Sequence, residues 1–586
     1  MTMNIHAVHH LPDVPYAYGS GRDRLKIRLR SARGDLKKVT IYYKDRYDWE
    51  NDYEKKDMDE IITTSLFSFY GTEITVRRAR FRYFFLLEEK SGRRIVYDAG
   101  GFREPVTEGF EYRGFQFAYS AQGDTYKPKE IFNDAVVYQI FPERFRNGNK
   151  ENDPPGTLPW GGIPAQGNFF GGDIKGITQG LPYLKDLEIN MIYLTPVFSS
   201  SSNHKYNINN YFALDPQFGT MEEVREMVEK AHSMGIRVIF DAVFNHTGSD
   251  IPMFLDVMQK GEKSPYSSWY HIDSYPADPE NPDYYTFATG IGSMPKLRTE
   301  NHEVREYFYS AGKFWIEKIG IDGWRLDVSD EVDHKFWQGF KEAVESVNPN
   351  AVLIGEIMHE ASSFLRGNEL DSVMNYPFKD ALCEYFARRE TDETHFTDTL
   401  SNVRALYTDE ISSQLWNLIG SHDTPRFLTE ARGEVKRLLL ALAFQFSYPG
   451  VPYIYYGDEA GLDGGRDPYC RRCMEWDEEK QDKRILDFTK KMIEFRKKYP
   501  ELTSSKVSFR TAPGMIAMER KSGDELSGRK IIIYFNNQDK EAEIKPEDNI
   551  TEITPTDMEG KTSEELYTSG PLILKPMSFR AFLKEE

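Results

Sequence analysis

Residues 323–328 read GWRLDV and alternate as a β-strand does, with Trp324, Leu326 and Val328 on one face and Gly323, Arg325 and Asp327 on the other. A strand covered on both sides normally carries apolar side chains on each face. An arginine and an aspartate side by side on an inner face are therefore either a structural ion pair or part of a site. The flanking sequence bears on the choice, because the stretch is one of eight similar ones.

The other strand candidates are AVVYQIFP (135–142), MIYLTPVF (191–198), RVIFDAVFNH (237–246), AVLIGEI (351–357), SVMNY (372–376), LWNLIGSHD (415–423) and VPYIYYGDE (451–459). Helical patterns lie between them, among them 221–235, 304–320 and 434–447, each ending at or near a glycine stop signal. Eight alternations of this kind predict a (β/α)₈ barrel over residues 126–504. The gap after the third strand is too long for a plain loop, so residues 247–300 are expected to form a small inserted domain on the catalytic face. Residues 1–125 carry short alternating runs and predict an N-terminal antiparallel β-sandwich. Residues 505–586 return to short strands and predict a C-terminal one.

Bulk properties narrow the function. A chain of 586 residues needs several cores. A net charge of −19 argues against nucleic acid or an anionic membrane as the main partner. The opening MTMNIHAVHHLPDV lacks the basic and apolar regions of a leader, and no apolar run reaches the ~18 residues of a membrane span. A soluble cytoplasmic protein is the expectation. Cys470 and Cys473 form a C-x-x-C, with no second pair to complete a zinc site.

In a barrel the chemistry sits at the C-terminal strand ends. There the sequence places Asp241, Asn245 and His246 on the third strand, Arg325 and Asp327 on the fourth, Glu356 on the fifth, and His422 and Asp423 on the seventh. Like charges grouped this way repel, which a purely structural role does not explain. Several carboxylates without an obvious metal cluster suggest glycoside chemistry, in which one carboxylate attacks and a second, protonated, donates to the leaving oxygen. Arg325 beside Asp327 is expected to lower that aspartate's pKa, while Glu356 has to keep its proton near neutrality.

The segments DAVFNH, GWRLDVSDE, GEI and SHD, in this order, resemble the four sequence regions of the α-amylase family. MPKLRTE (294–300), FFGGDIKGI (169–177), SNHKY (202–206) and SHDTPRF (421–427) are similar to the neopullulanase, cyclomaltodextrinase and maltogenic amylase subgroup. The resemblance covers nearly the whole chain. It implies a retaining mechanism with Asp327 as nucleophile, Glu356 as acid/base and Asp423 as stabiliser of the distorted sugar. Asp241, Arg325, His246 and His422 belong to the implied substrate site, the last three holding the same ring, and Tyr206 would stack on it. Met374, Tyr376 and Ser421 match positions on the acceptor side, and Asp467 and Arg471 a pair reaching more distant sugars. Glu331 stands where ordinary α-amylases carry histidine, and in the subgroup it accompanies action on small or branched substrates. Cys473 replaces the family's proline, the plain reading of the C-x-x-C.

The resemblance also implies a structural calcium ion. Residues 145–157, FRNGNKENDPPGT, bunch amide and carboxylate oxygens as a hard cation requires. The family's ligands would fall on Asn147, Asn149, Asn152 and Asp153, with the carbonyl of Gly171 and the carboxylate of Asp173. Asn149 stands for a common aspartate, which lowers the site's charge. A homodimer is implied too, the N-terminal domain docking over a neighbour's barrel.

Two departures stand out. NHKYNINNY carries Asn207 and Asn210 where acids are common, and Met358 stands where the subgroup usually has tryptophan. The expected activity is cleavage of α-1,4 bonds in cyclodextrins, pullulan, maltooligosaccharides and starch, with some α-1,6 cleavage and transfer. The alternatives are an α-1,6-acting oligosaccharide glucosidase, or a non-catalytic carbohydrate-binding homologue, although the latter typically lacks one of the three acids retained here.

Overall fold

The computed structural model describes residues 3–105, 113–523, 528–562, 565–567 and 569–585. Its centre is a parallel sheet of eight strands: β1 (Val137–Ile140), β2 (Met191–Leu194), β3 (Arg237–Ala242), β4 (Gly323–Leu326), β5 (Val352–Gly355), β6 (Ser372–Val373), β7 (Trp416–Asn417) and β8 (Val451–Tyr455). The hydrogen-bonded order runs β6-β5-β4-β3-β2-β1-β8-β7. A parallel bridge from Met374 to Trp416 joins the two ends and closes the barrel. Each expected strand forms, and each ladder stops before its apolar run does.

Helices cover the outside. Thr220 starts Met221–Ser233 with a capping box, its hydroxyl accepting from Glu223 N while the Glu223 carboxylate accepts from Thr220 N. His302–Ile319 ends at Gly320, whose φ of 83° allows the left-handed cap that stops the helix. Trp315 on that helix is fully buried, and its indole N–H donates to the Tyr211 carbonyl at 2.7 Å.

The segment after β3 holds the helix Pro252–Lys260 and a loose hairpin bridged at Ile272–Tyr284 and Thr286–Pro295. It returns beside the end of β3 through a bridge from Lys296 to His246, while Leu297 bridges Tyr270 within the segment itself.

The N-terminal part is two antiparallel sheets. One has four strands, with Arg24–Ala32 and Phe67–Thr75 at its centre; the other has six, built around Leu36–Asp45 and Phe81–Glu89. Leu25, Ile27 and Leu29 face Val39, Ile41, Phe81 and Phe85 in one core. This unit rests on the side of the barrel, on the connection between β6 and β7. Arg28 donates to Tyr407 O at 2.5 Å and to Asp409 Oδ1 at 2.8 Å, and Lys26 pairs with Glu410 Oε1 at 2.6 Å. At the other end, a six-stranded antiparallel sheet including Val507–Ala512 and Ser578–Lys584 faces a two-stranded ribbon, Ala542–Ile544 with Leu572–Leu574. Among the described residues no helix is long and apolar enough to cross a membrane.

Candidate active site

In the barrel ladder Asp241 lies opposite Arg325, so the two side chains share an inward direction. Arg325 is fully buried and its Nη1 donates to both oxygens of Asp241 at 3.0 Å and to Asp327 Oδ1 at 2.9 Å. Its Nη2 pairs with Glu356 Oε1 at 2.5 Å. One guanidinium thus bridges three carboxylates from three adjacent strands.

Just past β4 the chain turns sharply. Val328 has φ 44° and ψ 47°, a left-handed conformation that is strained for a β-branched residue. The turn points its N–H at Glu356, donating to Oε2 at 3.1 Å. Ser329 Oγ donates to the Glu356 carbonyl at 3.0 Å.

Asp423 lies across the site. Its Oδ2 is 3.1 Å from His422 Nε2, and Arg471 Nη2 donates to its Oδ1 at 3.1 Å. Arg471 also pairs with Asp467 at 3.1 Å. Tyr206 stacks parallel to His422, ring centres 5.5 Å apart, and its hydroxyl donates to Asp241 Oδ2 at 3.0 Å.

The electrostatics differ among the three acids. Burial, reinforced by the charge of Asp423, lifts Glu356 to about 6 against the pull of Arg325. Burial and then the charge of Glu356 hold Asp327 well above the ordinary carboxylate range. The lowering expected from Arg325 is present but outweighed by burial and by the charges of Glu356, Asp241 and Asp423. For Asp423 burial pulls upward, yet His422, Arg471 and Arg325 together keep it below the usual range. Burial holds His422 and His246 at about 3, so both rings are neutral at pH 7, and Arg471 and Arg325 carry the effect on Asp423 there.

These groups open onto a cavity of about 550 Å³. A family model described as the alpha amylase catalytic domain matches residues 139–506, and one described as the alpha amylase N-terminal ig-like domain matches residues 3–121.

The chain belongs to the α-amylase family.

It is similar to a cyclomaltodextrinase of Thermoanaerobacter pseudethanolicus, 44% identical over 578 residues and 98% of each chain. It is also similar to neopullulanase 2 of Thermoactinomyces vulgaris, 42% identical over 509 residues, covering 86% of this chain and 86% of that one. A solved cyclomaltodextrinase structure superposes with a TM-score of 0.89 at 37% identity, covering 99% of this chain and all of that one. The α-amylase family enzyme described here is a glycoside hydrolase on a (β/α)₈ barrel, with an ig-like N-terminal domain.

Of the residues singled out in the sequence, Tyr206, His246, Asp327, Glu331, Glu356, Met358, Asp423, Asp467 and Arg471 line the cavity. Asp241, Arg325 and His422 form its buried support. Met374, Tyr376 and Ser421 do not line it: all three are buried behind the wall, with Tyr376 Oη 3.5 Å from Glu356 Oε1. Sequence reasoning missed Phe287 and Met294 of the inserted segment, His204, Asp330 and Val328, all at the wall. It also missed Gln139 and Tyr193 inside the barrel. The Tyr193 hydroxyl donates to Asp241 Oδ2 at 2.5 Å, and Gln139 Nε2 is 2.7 Å from His422 Nδ1. A glutamine within the apolar run AVVYQIFP was the available signal.

Cys470 is buried beneath His422, its Sγ 3.1 Å from that residue's carbonyl, and all three cysteines are free. Asn207 takes Ser200 Oγ at 2.7 Å and donates to Ser201 Oγ at 2.8 Å, so the amide is knitted into its loop.

The candidate calcium residues come together. Asn147 Nδ2 donates to Asp153 Oδ1 at 2.8 Å, and a side chain at Gly171 would collide with both. Asn147 Oδ1 and Asn152 Oδ1 are buried without a hydrogen-bond partner among the described residues, acceptors of the kind a hard cation takes. Asp173 also serves the backbone, capping the helix Ile174–Asp186 through Gly176 N and accepting from Asn149 N at 2.8 Å. The donor set fits calcium.

Proposed function

We propose that this enzyme cleaves α-1,4-glucosidic bonds in cyclodextrins, pullulan, maltooligosaccharides and starch fragments by a retaining mechanism, with some α-1,6 cleavage and transfer to sugar acceptors. The observation that carries it is the pair Asp327 and Glu356, bridged by one guanidinium at the floor of the cavity. Close carboxylates suit double displacement. The proton held by the pair belongs to both carboxyls, and the reactive form is the one with that proton on Glu356 and Asp327 ionised. Asp327 then attacks the anomeric carbon while Glu356 gives its proton to the leaving oxygen. Glu356 then takes a proton from water or from an acceptor hydroxyl as that oxygen bonds to the anomeric carbon and the bond to Asp327 breaks, freeing the aspartate.

Asp423 stabilises the ring as positive charge develops, which its depressed pKa suits because it stays ionised. Arg325, His246 and His422 position that ring, and Tyr206 offers it a flat face. Asp467 and Arg471 reach the sugars beyond. Glu331 and Met358, on the loops after β4 and β5, face the acceptor sugar. The names of the relatives, cyclomaltodextrinase and neopullulanase, support small cyclic and linear α-glucans as substrates.

A calcium ion held by Asn147, Asn149, Asn152, Asp153, Gly171 and Asp173 would brace the loop after β1. A homodimer and a cytoplasmic location complete the reading. Three free buried cysteines suit a reducing compartment.

Asp327→Asn tests the assignment. It removes the nucleophile and nearly preserves shape, so turnover should fall on the order of 10⁴-fold with an unchanged thermal midpoint. Activity near that of the parent enzyme would sink it.

A further inference from the structure

Lys296, within MPKLRTE, ties together three separate parts of the cavity. It lies in the inserted segment, opposite His246 across an antiparallel bridge. Its N–H donates to Tyr285 O at 2.8 Å, and the next residue's N–H donates to Asn245 O at 3.0 Å. The backbone on both sides is therefore fixed before the side chain is considered.

The ammonium group is mostly enclosed, with 18% of the side chain exposed. It donates to the side-chain oxygen of Asn245, to Glu331 Oε2 at 2.8 Å and to the Glu331 carbonyl at 3.3 Å. An ammonium has three protons, and all three are committed. Asn245 is oriented in turn. Its oxygen faces Lys296 while its Nδ2 is 3.4 Å from His246 Nδ1. His246 Nε2 faces the Tyr206 carbonyl at 3.2 Å, an acceptor only, which puts the ring proton on Nε2 and leaves Nδ1 to accept from the amide. Each donor direction agrees with the next.

Glu331 is otherwise loosely placed. Its side chain is 49% exposed on the short turn Ser329–Glu331, and its Oε1 makes no protein hydrogen bond among the described residues. A glutamate in that position samples several rotamers unless something holds it.

We propose that Lys296 is a positioning residue that fixes Glu331 as a charge-compensated acceptor at the cavity wall, and so sets how the enzyme receives the acceptor sugar. This rests on the reading that Glu331 faces that sugar. A held carboxylate with one free oxygen accepts a hydrogen bond from a sugar hydroxyl with little ordering cost. An unpaired one turns to water.

The test uses Lys296→Met, Glu331→Gln, the double variant and Lys296→Arg, with steady-state kinetics on maltotetraose and on an aryl maltoside whose leaving group barely reaches the acceptor wall. Lys296→Met should raise KM for maltotetraose about tenfold, as expected for loss of a charge-assisted contact, with kcat within about threefold. Aryl maltoside hydrolysis should stay within about twofold. The penalty should vanish in the Glu331→Gln background, and Lys296→Arg should recover most of it. An equal penalty with and without Glu331, or an equal loss on the aryl substrate, would overturn the proposal. Glu331→Gln impaired while Lys296→Met is normal rejects Lys296 alone; Glu331→Gln normal on maltotetraose rejects the placement of Glu331 and the proposal with it. Should Lys296→Met fail to fold, Lys296→Gln, which keeps a donor, is read by the same outcomes.

Discussion

Asp241, Asp327, Glu356 and Asp423 surround two guanidiniums, those of Arg325 and Arg471, so the buried set carries more negative than positive charge when fully ionised. It therefore keeps a proton more readily than separate carboxylates would. Glu356, at about 6, is where the general acid needs that proton. The active form is the protonated one, so kcat/KM should fall as pH rises through about 6, tenfold per unit once well above it. In Glu356→Gln, a substrate with a strongly acidic leaving group should still be cleaved and the alkaline limb should disappear. A limb that stays in place would assign that titration elsewhere. The chemical residues were legible in sequence because strand alternation brings Arg325 and Asp327 to one face. The proton balance was not: whether Arg325 or burial governs Asp327 depends on how deeply the carboxyl is enclosed and which acids crowd it, which only the assembled barrel decides. Nor was Val328, whose strained turn has no counterpart in residue preference, since valine avoids that conformation.

The elements followed apolar periodicity closely, and the differences lie at their ends. LWNLIGSHD suggested nine residues of strand, yet only Trp416–Asn417 pair, and SVMNY contracts to Ser372–Val373. Apolar residues beyond a ladder remain buried as loop, so hydrophobicity alone does not mark where pairing stops. Those loops carry the site. Met358, on the loop after β5, is 53% exposed at the cavity wall. Met358→Trp would add an aromatic face worth ~1 kcal/mol to a bound acceptor, raising the ratio of transfer to hydrolysis about fivefold. An unchanged ratio, measured from product composition with glucose as acceptor, would refute that. The loop after β1 offers the second test. If calcium braces it, a chelator should lower the thermal midpoint, added calcium should restore it, and magnesium should not, because these amide-rich ligands suit the larger, more flexible shell. A midpoint indifferent to chelator removes the ion from the account.

For the whole molecule, the docking face of the N-terminal unit was invisible in sequence. Lys26 and Arg28 read as solvent charges on an alternating strand, while their partners Asp409 and Glu410 lie some 380 residues away in the chain. Arg496 and Arg520 likewise look like surface residues. Both are buried at the junction of barrel and C-terminal sheet, satisfied by main-chain carbonyls such as Phe446, Leu502 and Lys506. Docked on the flank, the N-terminal unit leaves its own barrel mouth uncovered: none of its described residues lines the cavity. That leaves room for a neighbour's N-terminal unit, and sedimentation equilibrium at micromolar concentration should give twice the chain mass. A single monomeric species would dismiss the dimer.

The barrel is sealed between β6 and β7 by little backbone: the Met374–Trp416 bridge, with Asn375 N donating to Trp416 O at 2.8 Å and Asn375 Nδ2 to Asn417 Oδ1 at 2.9 Å. Elsewhere neighbouring strands share longer ladders, as β3 and β4 do over four residues. The ladders beside the Met374–Trp416 bridge are short as well, two residue pairs each for β5 with β6 and for β7 with β8, so that side of the cylinder carries the least strand pairing. Amide protons along that seam should exchange ahead of those on the opposite side of the cylinder, and Tyr376, which backs Glu356, hangs from its edge. Arg325 lies away from that seam, on the four-residue ladder of β3 and β4, with the carboxylates it holds.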